Sequence, residues 1–295
     1  MASDRAVEQV GGRRDPDCDC HDCGLRDEDN NPGSLRGGEL MGDVRLLVQR
    51  FDPLKDTKPR LVEYTVPRRE GMTVLDALLY ARDYIDHSIA LRFSCRQASC
   101  GSCGMKINGR PRLACYTQVD ELKRDSVVAQ PMDNFAIIKD LVTDLDSFFA
   151  MHKSVVPNLV RTDKQEQDHP TAEFVMKPDE LEKVLQFTYC IKCGLCTSSC
   201  PTVGTDSKFP GPQALSQAYR YVADVRDEGG EERLKLLDGL HGIWRCHFAG
   251  SCSAVCPKGV DPALGIQLLK RHVMSGKPPH RAGEGTKVWN PPPRP

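Results

Sequence analysis

Two cysteine runs have the residue type and the spacing to bind iron. The first, C-I-K-C-G-L-C-T-S-S-C-P at Cys190–Pro201, has the spacing C-x2-C-x2-C-x3-C-P. That spacing is typical of 4Fe-4S ligand runs in which the fourth cysteine binds a neighbouring cluster. The second run, C-H-F-A-G-S-C-S-A-V-C-P at Cys246–Pro257, repeats it but has Ala249 at the second cysteine position. Because a methyl group cannot bind iron, the runs predict two clusters with unequal numbers of ligands.

The rule that the fourth cysteine of each run binds the other cluster divides these thiols into two sets. The set predicted for a 4Fe-4S cluster is Cys190, Cys193, Cys196 and Cys256. The set predicted for a 3Fe-4S cluster, which lacks the iron that Ala249 would face, is Cys200, Cys246 and Cys252. The alternative for the second set is a 4Fe-4S cluster with water on its fourth iron.

A third group of cysteines lies earlier in the chain, in S-C-R-Q-A-S-C-G-S-C-G at residues 94–104. Its spacing C-x4-C-x2-C, followed by a later single cysteine, is the plant-type pattern for a 2Fe-2S cluster. Gly101 and Gly104 fit a loop that turns backbone N–H groups towards the cluster sulfurs, because glycine tolerates positive φ. Asn108-Gly109 predicts a type I′ hairpin that returns the last ligand. The predicted ligands are Cys95, Cys100, Cys103 and Cys115.

The elements around this loop predict a small domain of mixed structure. V-R-L-L-V-Q-R-F at 44–51 and L-V-E-Y-T-V at 61–66 alternate in the manner of paired strands. Apolar residues at helical spacing follow Gly71, with Thr73 as the predicted N-cap. A hairpin, a helix and further strands around a cluster loop predict a β-grasp ferredoxin domain.

The second half of the chain reads as helical. A helix is predicted from about Asn134 to His152, with an apolar face formed by Ile137, Ile138, Leu141, Leu145, Phe148 and Phe149. A polar connecting loop is expected at 154–178. Short helices are then predicted at Glu180–Tyr189, Pro212–Arg226, Glu231–Leu237 and Pro262–Met274.

The predicted fold class is therefore α+β, with a β-grasp, plant-type ferredoxin domain before an all-α domain that holds two clusters. The expected boundaries are a polar arm at 1–42, the 2Fe-2S domain at 43–145, the helical domain with the 4Fe-4S and 3Fe-4S clusters at 146–276, and a proline-rich tail at 277–295.

The charge balance and the cysteine content limit which partners and which cellular compartment are expected. Lys and Arg number 40 against 41 Asp and Glu, so no excess charge favours nucleic acid or an anionic membrane. Clustered C-x2-C spacings among the 14 cysteines, without a secretory signal, favour metal sites in a reducing compartment. Arg13-Arg14 is not followed by an apolar segment, and no stretch approaches the length of a spanning helix. We expect a cytoplasmic location, with any membrane association made through another subunit.

Both ends of the chain carry unusual sequences. C-D-C-H-D-C, with Cys18, Cys20, His21 and Cys23, has ligands for zinc at a tighter spacing than common zinc modules, and the alternative is a tail of free thiols. The tail from His280 contains too many prolines for regular structure, so it is expected to lie along a partner with Trp289 as an anchor, or to be loose.

The cysteine blocks resemble, in their order, the iron-sulfur subunit of succinate dehydrogenase and fumarate reductase, the complex II family. The resemblance rests on M-T-V-L-D-A-L, S-C-R-Q-A-S-C-G-S-C-G, C-I-K-C-G-L-C-T-S-S-C-P, R-C-H and C-P-K-G-V-D-P, and covers about residues 43 to 275. It implies electron transport between the FAD of a flavoprotein subunit that interconverts succinate and fumarate and a quinone at membrane anchor subunits, which hold haem b in part of the family. It also implies a role in the tricarboxylic acid cycle and a place on the cytoplasmic face of the cell membrane.

The resemblance further implies a quinone pocket bordered by Pro201 and His247. The alternative for His247 is that it caps a helix or bonds a cluster sulfur. Arg245 is expected to face the anchor or to form a surface ion pair. Where many family members have a tryptophan that bonds the quinone, this chain has Thr205, so the pocket is expected to differ and to use Thr205 or an anchor residue instead. The direction of the reaction stays undecided, because G-I-W-R-C-H-F-A-G-S-C shares features with both branches.

The chain offers no general base, hydride acceptor or substrate clamp, so no catalytic residue is predicted and the dicarboxylate chemistry is expected on another subunit. Two alternatives stay open. One is a subunit of a related flavin-dependent reductase, of the thiol-linked fumarate reductase type, with a non-quinone partner. The other is a free ferredoxin-like shuttle, which two fused cluster domains disfavour. A zinc-dependent structural or nucleic-acid protein is the weakest interpretation, because no basic patch appears.

Overall fold

A five-stranded mixed sheet forms the first half of the molecule. The computed structural model describes residues 40–124, 126–276 and the backbone of 288–289. The strands are β1 (Leu40–Arg50), β2 (Arg60–Arg69), β3 (Gly104–Ile107), β4 (Arg110–Leu113) and β5 (Ser126–Gln130), in the spatial order β2-β1-β5-β3-β4. All neighbours are antiparallel except β1 and β5.

The predicted first hairpin is confirmed. β1 and β2 pair along their length, with Leu46 opposite Tyr64. Val44, Leu46 and Val48 are buried, whereas the residues between them are at least partly accessible, because alternate side chains of a strand point to opposite faces. The buried face of the sheet therefore forms the floor of the first core.

Helix α1 (Val74–Tyr80) covers this floor and begins where the sequence predicts. The side chain of Thr73 accepts the Asp76 backbone N–H, and the Asp76 carboxylate accepts the Thr73 N–H, which together make a capping box. Leu75 and Leu78 are fully buried against the sheet. One π-helical turn, Ala81–Ile85, continues the helix.

The second predicted hairpin, β3 to β4, is also confirmed. Asn108 and Gly109 have φ values of +48° and +79°, the two positive values of a type I′ turn. The Asn108 side chain also accepts the Val128 N–H at 2.7 Å, which ties the turn to β5.

The prediction of one helix from 134 to 152 is wrong over its first half. The chain forms β6 (Ile137–Lys139) and β7 (Val142–Thr143), and only then α2 (Asp146–Ser154). Asp140 explains the difference. It has a φ of +47° and is 2% exposed, and its carboxylate accepts the N–H groups of Phe51 and Ala90 at 2.9 Å each. These long-range hydrogen bonds hold a turn that the apolar spacing alone does not reveal.

The connecting segment is more ordered than a plain loop. It contains α3 (Lys164–Asp168) and β8 (Glu173–Phe174), which pairs antiparallel with β9 (Val288–Trp289). The expectation that the tail has no regular structure is therefore wrong at these two residues. They precede the prolines at 291–293, so their backbone N–H groups remain available for pairing.

Within the described residues, seven short helices follow. Four lie where the sequence predicts a helix, and three of four or five residues lie in or directly after the cysteine runs, where it predicts none. Their bounds are α4 (Pro178–Thr188), α5 (Leu195–Ser198), α6 (Pro201–Thr205), α7 (Gly211–Val222), α8 (Gly230–Leu237), α9 (Ser251–Ala254) and α10 (Pro262–Ser275). Phe187, Leu215 and Ile266 lie at the centre of this second core. Within the part of the chain that the structure describes, no helix combines the length and apolar character needed to cross a membrane.

A buried ion pair fastens the connecting segment to the helices. Arg233 and Asp227 are 1% exposed each, and Nη1 of Arg233 donates to Oδ1 of Asp227 at 2.8 Å. The same guanidinium donates to the carbonyl oxygens of Val155, Val156 and Asn158. A buried charge with this many partners fixes the path by which the chain leaves α2.

Candidate metal centres

All eleven cysteines in the described part of the chain are free thiols. They lie in the three loops that the sequence indicates, and no disulfide links any of them. The set is Cys95, Cys100, Cys103, Cys115, Cys190, Cys193, Cys196, Cys200, Cys246, Cys252 and Cys256. The thiols are therefore available as metal ligands.

The loop after residue 94 turns backbone donors towards sulfur. Sγ of Cys95 accepts the N–H groups of Gln97 at 3.5 Å, Ser99 at 3.3 Å and Cys100 at 3.3 Å. Sγ of Cys115 accepts the Ala98 N–H at 3.3 Å, and Sγ of Cys103 accepts the Cys115 N–H at 3.5 Å. N–H donors around thiolates stabilise the negative charge that a bound cluster brings.

The two glycines of this loop have different roles, which corrects the expectation that both need positive φ. Gly101 has a φ of +77°, but Gly104 is not among the residues with positive φ. A Cβ at Gly101 would lie 2.7 Å from Cβ of Cys193, and a Cβ at Gly104 would lie 3.2 Å from the Cys193 carbonyl oxygen. Both glycines therefore let the first cysteine loop contact the loop of Cys193.

The thiols of the first loop differ in acidity. A hydrogen bond from the Ser102 hydroxyl lowers the pKa of Cys100 to about 6. Burial raises the pKa of Cys103 to about 12. The exposed Cys100 therefore ionises more readily than a free thiol, whereas the buried Cys103 would be a thiolate only beside a positive charge such as a bound metal.

The thiols predicted for the 4Fe-4S cluster lie close together. Burial raises the pKa of Cys196 well above its usual range, and negative charge on Cys193, Cys190, Cys252 and Cys256 raises it further. Burial likewise raises the pKa of Cys193 to about 11, with contributions from Cys190 and Cys256. These interactions link the four predicted ligands to one another and also link Cys196 to the second set.

The second set surrounds one small cavity of about 20 Å³. Cys200, Cys246 and Cys252 all line it, and so does Ala249. Burial raises the pKa of Cys252 to about 11, and the other two thiols add to the increase. The structure therefore brings together the three predicted thiols and the alanine that replaces a fourth.

These donor sets fit iron–sulfur clusters better than single ions. In the described ranges, no three His, Cys, Asp or Glu side chains converge on a point where one metal ion would bind. Several buried thiols would repel each other once deprotonated, and a cationic iron core removes that penalty. Thiolate ligands with N–H donors around them are the environment that such clusters require.

The structure brings together two of the three residues expected at the quinone end. Pro201 and His247 line the same cavity as the second set of thiols, and His247 is exposed. Thr205 lies outside that lining, and its hydroxyl donates to the carbonyl oxygens of Pro201 and Thr202 at 3.3 and 3.1 Å. Thr205 therefore bonds within its own helix.

An ion pair borders this end of the molecule. Oδ2 of Asp206 accepts Nδ1 of His241 at 2.8 Å and Nε of Arg245 at 3.2 Å. The bond from His241 and the charge of Arg245 lower the pKa of the Asp206 carboxyl. Arg245 is thus held beside the first cysteine of the second run.

Sequence reasoning missed the polar side chains that contact the thiols from outside the loops. Gln213, on the buried face of α7, donates to Sγ of Cys190 and to Nδ1 of His152. The available signal was glutamine at 213 and again at 217, at helical spacing on an otherwise apolar face. The predicted metal ligands Cys18, Cys20, His21 and Cys23 lie outside the described residues.

Comparison with known proteins agrees with this architecture. Residues 45–150 match the family described as 2Fe-2S iron-sulfur cluster binding domain, and residues 186–260 match the 4Fe-4S dicluster domain family. Together with the fold, these matches define the class of protein, an electron-transfer protein with a ferredoxin domain followed by a dicluster domain. The predicted α+β fold class is confirmed.

Curated relatives narrow the class. The fumarate reductase iron-sulfur subunit of Haemophilus influenzae is 41% identical over 231 residues, which are 76% of this chain and 90% of that protein. The corresponding subunit of Mycobacterium tuberculosis is also 41% identical, over 78% of this chain and 93% of that protein. A chain of the Mycobacterium smegmatis Sdh1 complex in the apo form superposes with a TM-score of 0.72 at 27% identity, covering 80% of this chain and 97% of that one.

The chain belongs to the family of iron-sulfur subunits of fumarate reductase and succinate dehydrogenase. The family resemblance, the 2Fe-2S and 4Fe-4S domains and membership of an oxidoreductase complex are thereby confirmed.

Proposed function

We propose that this chain conducts electrons between the FAD of a flavoprotein subunit that interconverts succinate and fumarate and a quinone at a membrane anchor. The 2Fe-2S ligands are Cys95, Cys100, Cys103 and Cys115. The 4Fe-4S ligands are Cys190, Cys193, Cys196 and Cys256. The 3Fe-4S ligands are Cys200, Cys246 and Cys252.

The contact between Gly101 and Cys193 carries this proposal. The absence of a side chain at Gly101 lets a 2Fe-2S loop touch a 4Fe-4S ligand directly. At the other side of that ligand set, Cys196 is close enough to Cys252 for their charges to interact. These contacts support a sequence in space of 2Fe-2S, then 4Fe-4S, then 3Fe-4S ligands, in which each set lies next to the following one. When bound, the clusters accept and donate single electrons. Such centres are needed because FAD and quinone are two-electron carriers that the protein holds apart.

The protein supports this transfer by fixing the ligands and their hydrogen bonds. Backbone N–H groups donate to Sγ of Cys95 and Cys115, where they would stabilise the negative charge of a bound cluster. Ala249 supplies no ligand at the third site, which favours three irons over four. Removing one iron is one of the means by which a protein changes a potential.

The quinone end is proposed at the cavity that Pro201 and His247 share with the third ligand set. His247 is exposed, and its imidazole nitrogens can donate to or accept from a quinone oxygen. Thr205 is a weaker candidate, because its hydroxyl already donates within α6. The anchor subunits, with haem b where present, would lie on this side, at the cytoplasmic face of the membrane.

We also propose the division into a ferredoxin domain at 43–145 and a dicluster domain at 146–276. The two cores support it, since the first gathers the sheet and α1 and the second gathers α4, α7 and α10. Leu195 is an exception, because it lies in the first core although it belongs to the second half. That exception places a 4Fe-4S loop residue against the ferredoxin domain.

The cluster assignment is tested by electron paramagnetic resonance (EPR) on the full-length chain with its clusters in place. The dithionite-reduced protein should show a 2Fe-2S signal, and the oxidised protein a 3Fe-4S signal. Absence of the oxidised-state signal would remove the proposed role of Ala249. Copurification from membranes should recover a flavoprotein and an anchor subunit, and recovery of a soluble reductase alone would favour a non-quinone partner.

The quinone end is tested by His247→Ala in the assembled complex. The variant should slow quinone reduction by about 10²- to 10⁴-fold, the range ascribed to one general acid or base. Reduction of an artificial acceptor by the flavoprotein should stay unchanged. Equal loss with both acceptors would place the role of His247 elsewhere.

A further inference from the structure

One buried amide contacts a proposed cluster ligand from outside the cysteine loops. Gln213 is in the first turn of α7 and is 2% exposed. Its Nε2 donates to Sγ of Cys190 at 4.0 Å, within the reach of a hydrogen bond to sulfur, and lies 3.3 Å from Nδ1 of His152. An amide nitrogen has two hydrogens, so it can serve both neighbours at once.

The same amide nitrogen faces His152. Because an amide nitrogen can only donate, Nδ1 of His152 accepts from it, and the imidazole carries its proton on Nε2. Burial, followed by the positive charge of Lys192, lowers the pKa of His152, which disfavours the doubly protonated ring that could not accept. One amide nitrogen therefore contacts both the imidazole and the thiol.

The oxygen of the same amide makes no hydrogen bond within the described part of the chain, so the burial of Gln213 is not explained by its oxygen. Oε1 is buried, and no donor among the described residues reaches it. A buried oxygen without a partner destabilises the fold, and an apolar side chain of the same length would avoid that cost. The useful contact of Gln213 is therefore the one that its nitrogen makes.

We propose that Gln213 acts through Cys190 to raise the reduction potential of the 4Fe-4S cluster. Reduction adds negative charge to the cluster and its sulfur ligands, and an N–H donor stabilises that charge. The reduced form therefore gains more from Gln213 than the oxidised form does. This inference rests on the ligand set given under Proposed function.

The test compares two glutamines of one helix. Gln217 lies one turn after Gln213 and is equally buried, but its Nε2 donates to the Phe187 carbonyl oxygen at 2.8 Å. Gln213→Met and Gln217→Met make the same change of side chain, and only the first removes a donor from a thiol. The readout is the midpoint potential of the 4Fe-4S cluster, from potentiometric titration of the full-length chain followed by EPR.

Gln213→Met should lower the ratio of reduced to oxidised 4Fe-4S cluster about threefold to tenfold at a fixed potential, as expected for the net free energy of one ordinary hydrogen bond. At 59 mV per decade for one electron, this is a shift of about 28 to 59 mV. Gln217→Met should leave this potential unchanged while lowering stability, and the 2Fe-2S potential should not move in either variant.

An unchanged 4Fe-4S potential in Gln213→Met, with the cluster loaded, would overturn the inference. Absence of a 4Fe-4S signal in the unmodified chain would instead overturn the ligand set. If Gln213→Met does not load its cluster, pulsed EPR on unmodified protein containing ¹⁵N-labelled glutamine decides the question. A coupling between the reduced cluster and one side-chain nitrogen is expected, and no such coupling would overturn the inference.

Discussion

In the runs Cys190–Pro201 and Cys246–Pro257 the backbone makes the same turn twice. Each run has a non-glycine residue with positive φ, then a glycine with positive φ as the N-cap of a short helix. The corresponding pairs are Lys192 (φ +55°) and Phe248 (+59°), Gly194 (+80°) and Gly250 (+73°), and helices α5 and α9. Equal cysteine spacing therefore produces equal local structure.

The surroundings of the two turns differ. Leu195 of the first run is fully buried in the ferredoxin core, whereas Ser251 at the equivalent position donates to the Ser199 carbonyl oxygen. Cys193 lies against Gly101, but its counterpart Ala249 is exposed. The comparison teaches that spacing determines how a cluster loop folds, while the neighbouring chain determines what the loop contacts.

Cys193→Ala would make the first run resemble the second and should have the largest effect. The proposed 4Fe-4S set would lose a thiolate next to Gly101, so the four-iron cluster should be lost or converted to a three-iron form. Iron analysis should show about one iron fewer per chain for the conversion, and EPR should show a second oxidised-state signal. Unchanged iron content would remove Cys193 from the ligand set.

Ala249→Cys is the reverse change. The exposed position leaves room for a thiol beside the cavity of the second set. We expect a four-iron cluster of lower potential and loss of the oxidised 3Fe-4S signal, followed by EPR and potentiometry. Persistence of that signal at full strength would show that Ala249 does not set the iron count.

Gly101→Ala tests the contact that links the two halves. The new Cβ would lie 2.7 Å from Cβ of Cys193 and would also need a φ of +77°. A destabilisation of about 2 to 4 kcal/mol is expected, together with slower electron transfer from the 2Fe-2S centre. Loss of cluster absorbance with increasing urea concentration measures the stability. Freeze-quench EPR measures the rate of electron transfer.

Gly109→Ala is the matched control, since Gly109 has a φ of +79° but nothing within 4 Å of the added Cβ. It should show only the backbone cost of about 1 to 2 kcal/mol. Equal destabilisation by both changes would mean that the Cys193 loop moves aside for the added Cβ with no loss of stability.

Gly194→Ala and Gly250→Ala change equivalent positions of the two runs. Their difference in stability should be the smallest of the expected effects. Both need positive φ, but a Cβ at 194 would lie 3.2 Å from Cζ of Phe135, whereas one at 250 meets nothing within 4 Å. Gly194→Ala should therefore be less stable by up to about 1 kcal/mol, because the end of a phenylalanine ring can shift. The urea midpoints of the two variants measure the difference, and a less stable Gly250→Ala would reverse the comparison.

The sequence by itself determined the features that depend on residues close together in the chain. The cysteine spacings indicated three cluster loops, and the capping box at Thr73 and the Asn108-Gly109 turn lie where local rules place them. These features depend on residues a few positions apart, so neighbouring positions carry the information. The family followed from the same local motifs.

The tertiary structure decided what depends on distant partners. The N–H groups of Phe51 and Ala90 bind Asp140 and divide the predicted helix into a strand pair and a shorter helix. Gly104 is favoured by the close approach of Cys193, and Gln213 reaches Cys190, which lies 23 residues earlier in the chain. Contacts between residues far apart in the chain arise only when the chain has folded, because no local spacing encodes which segments meet.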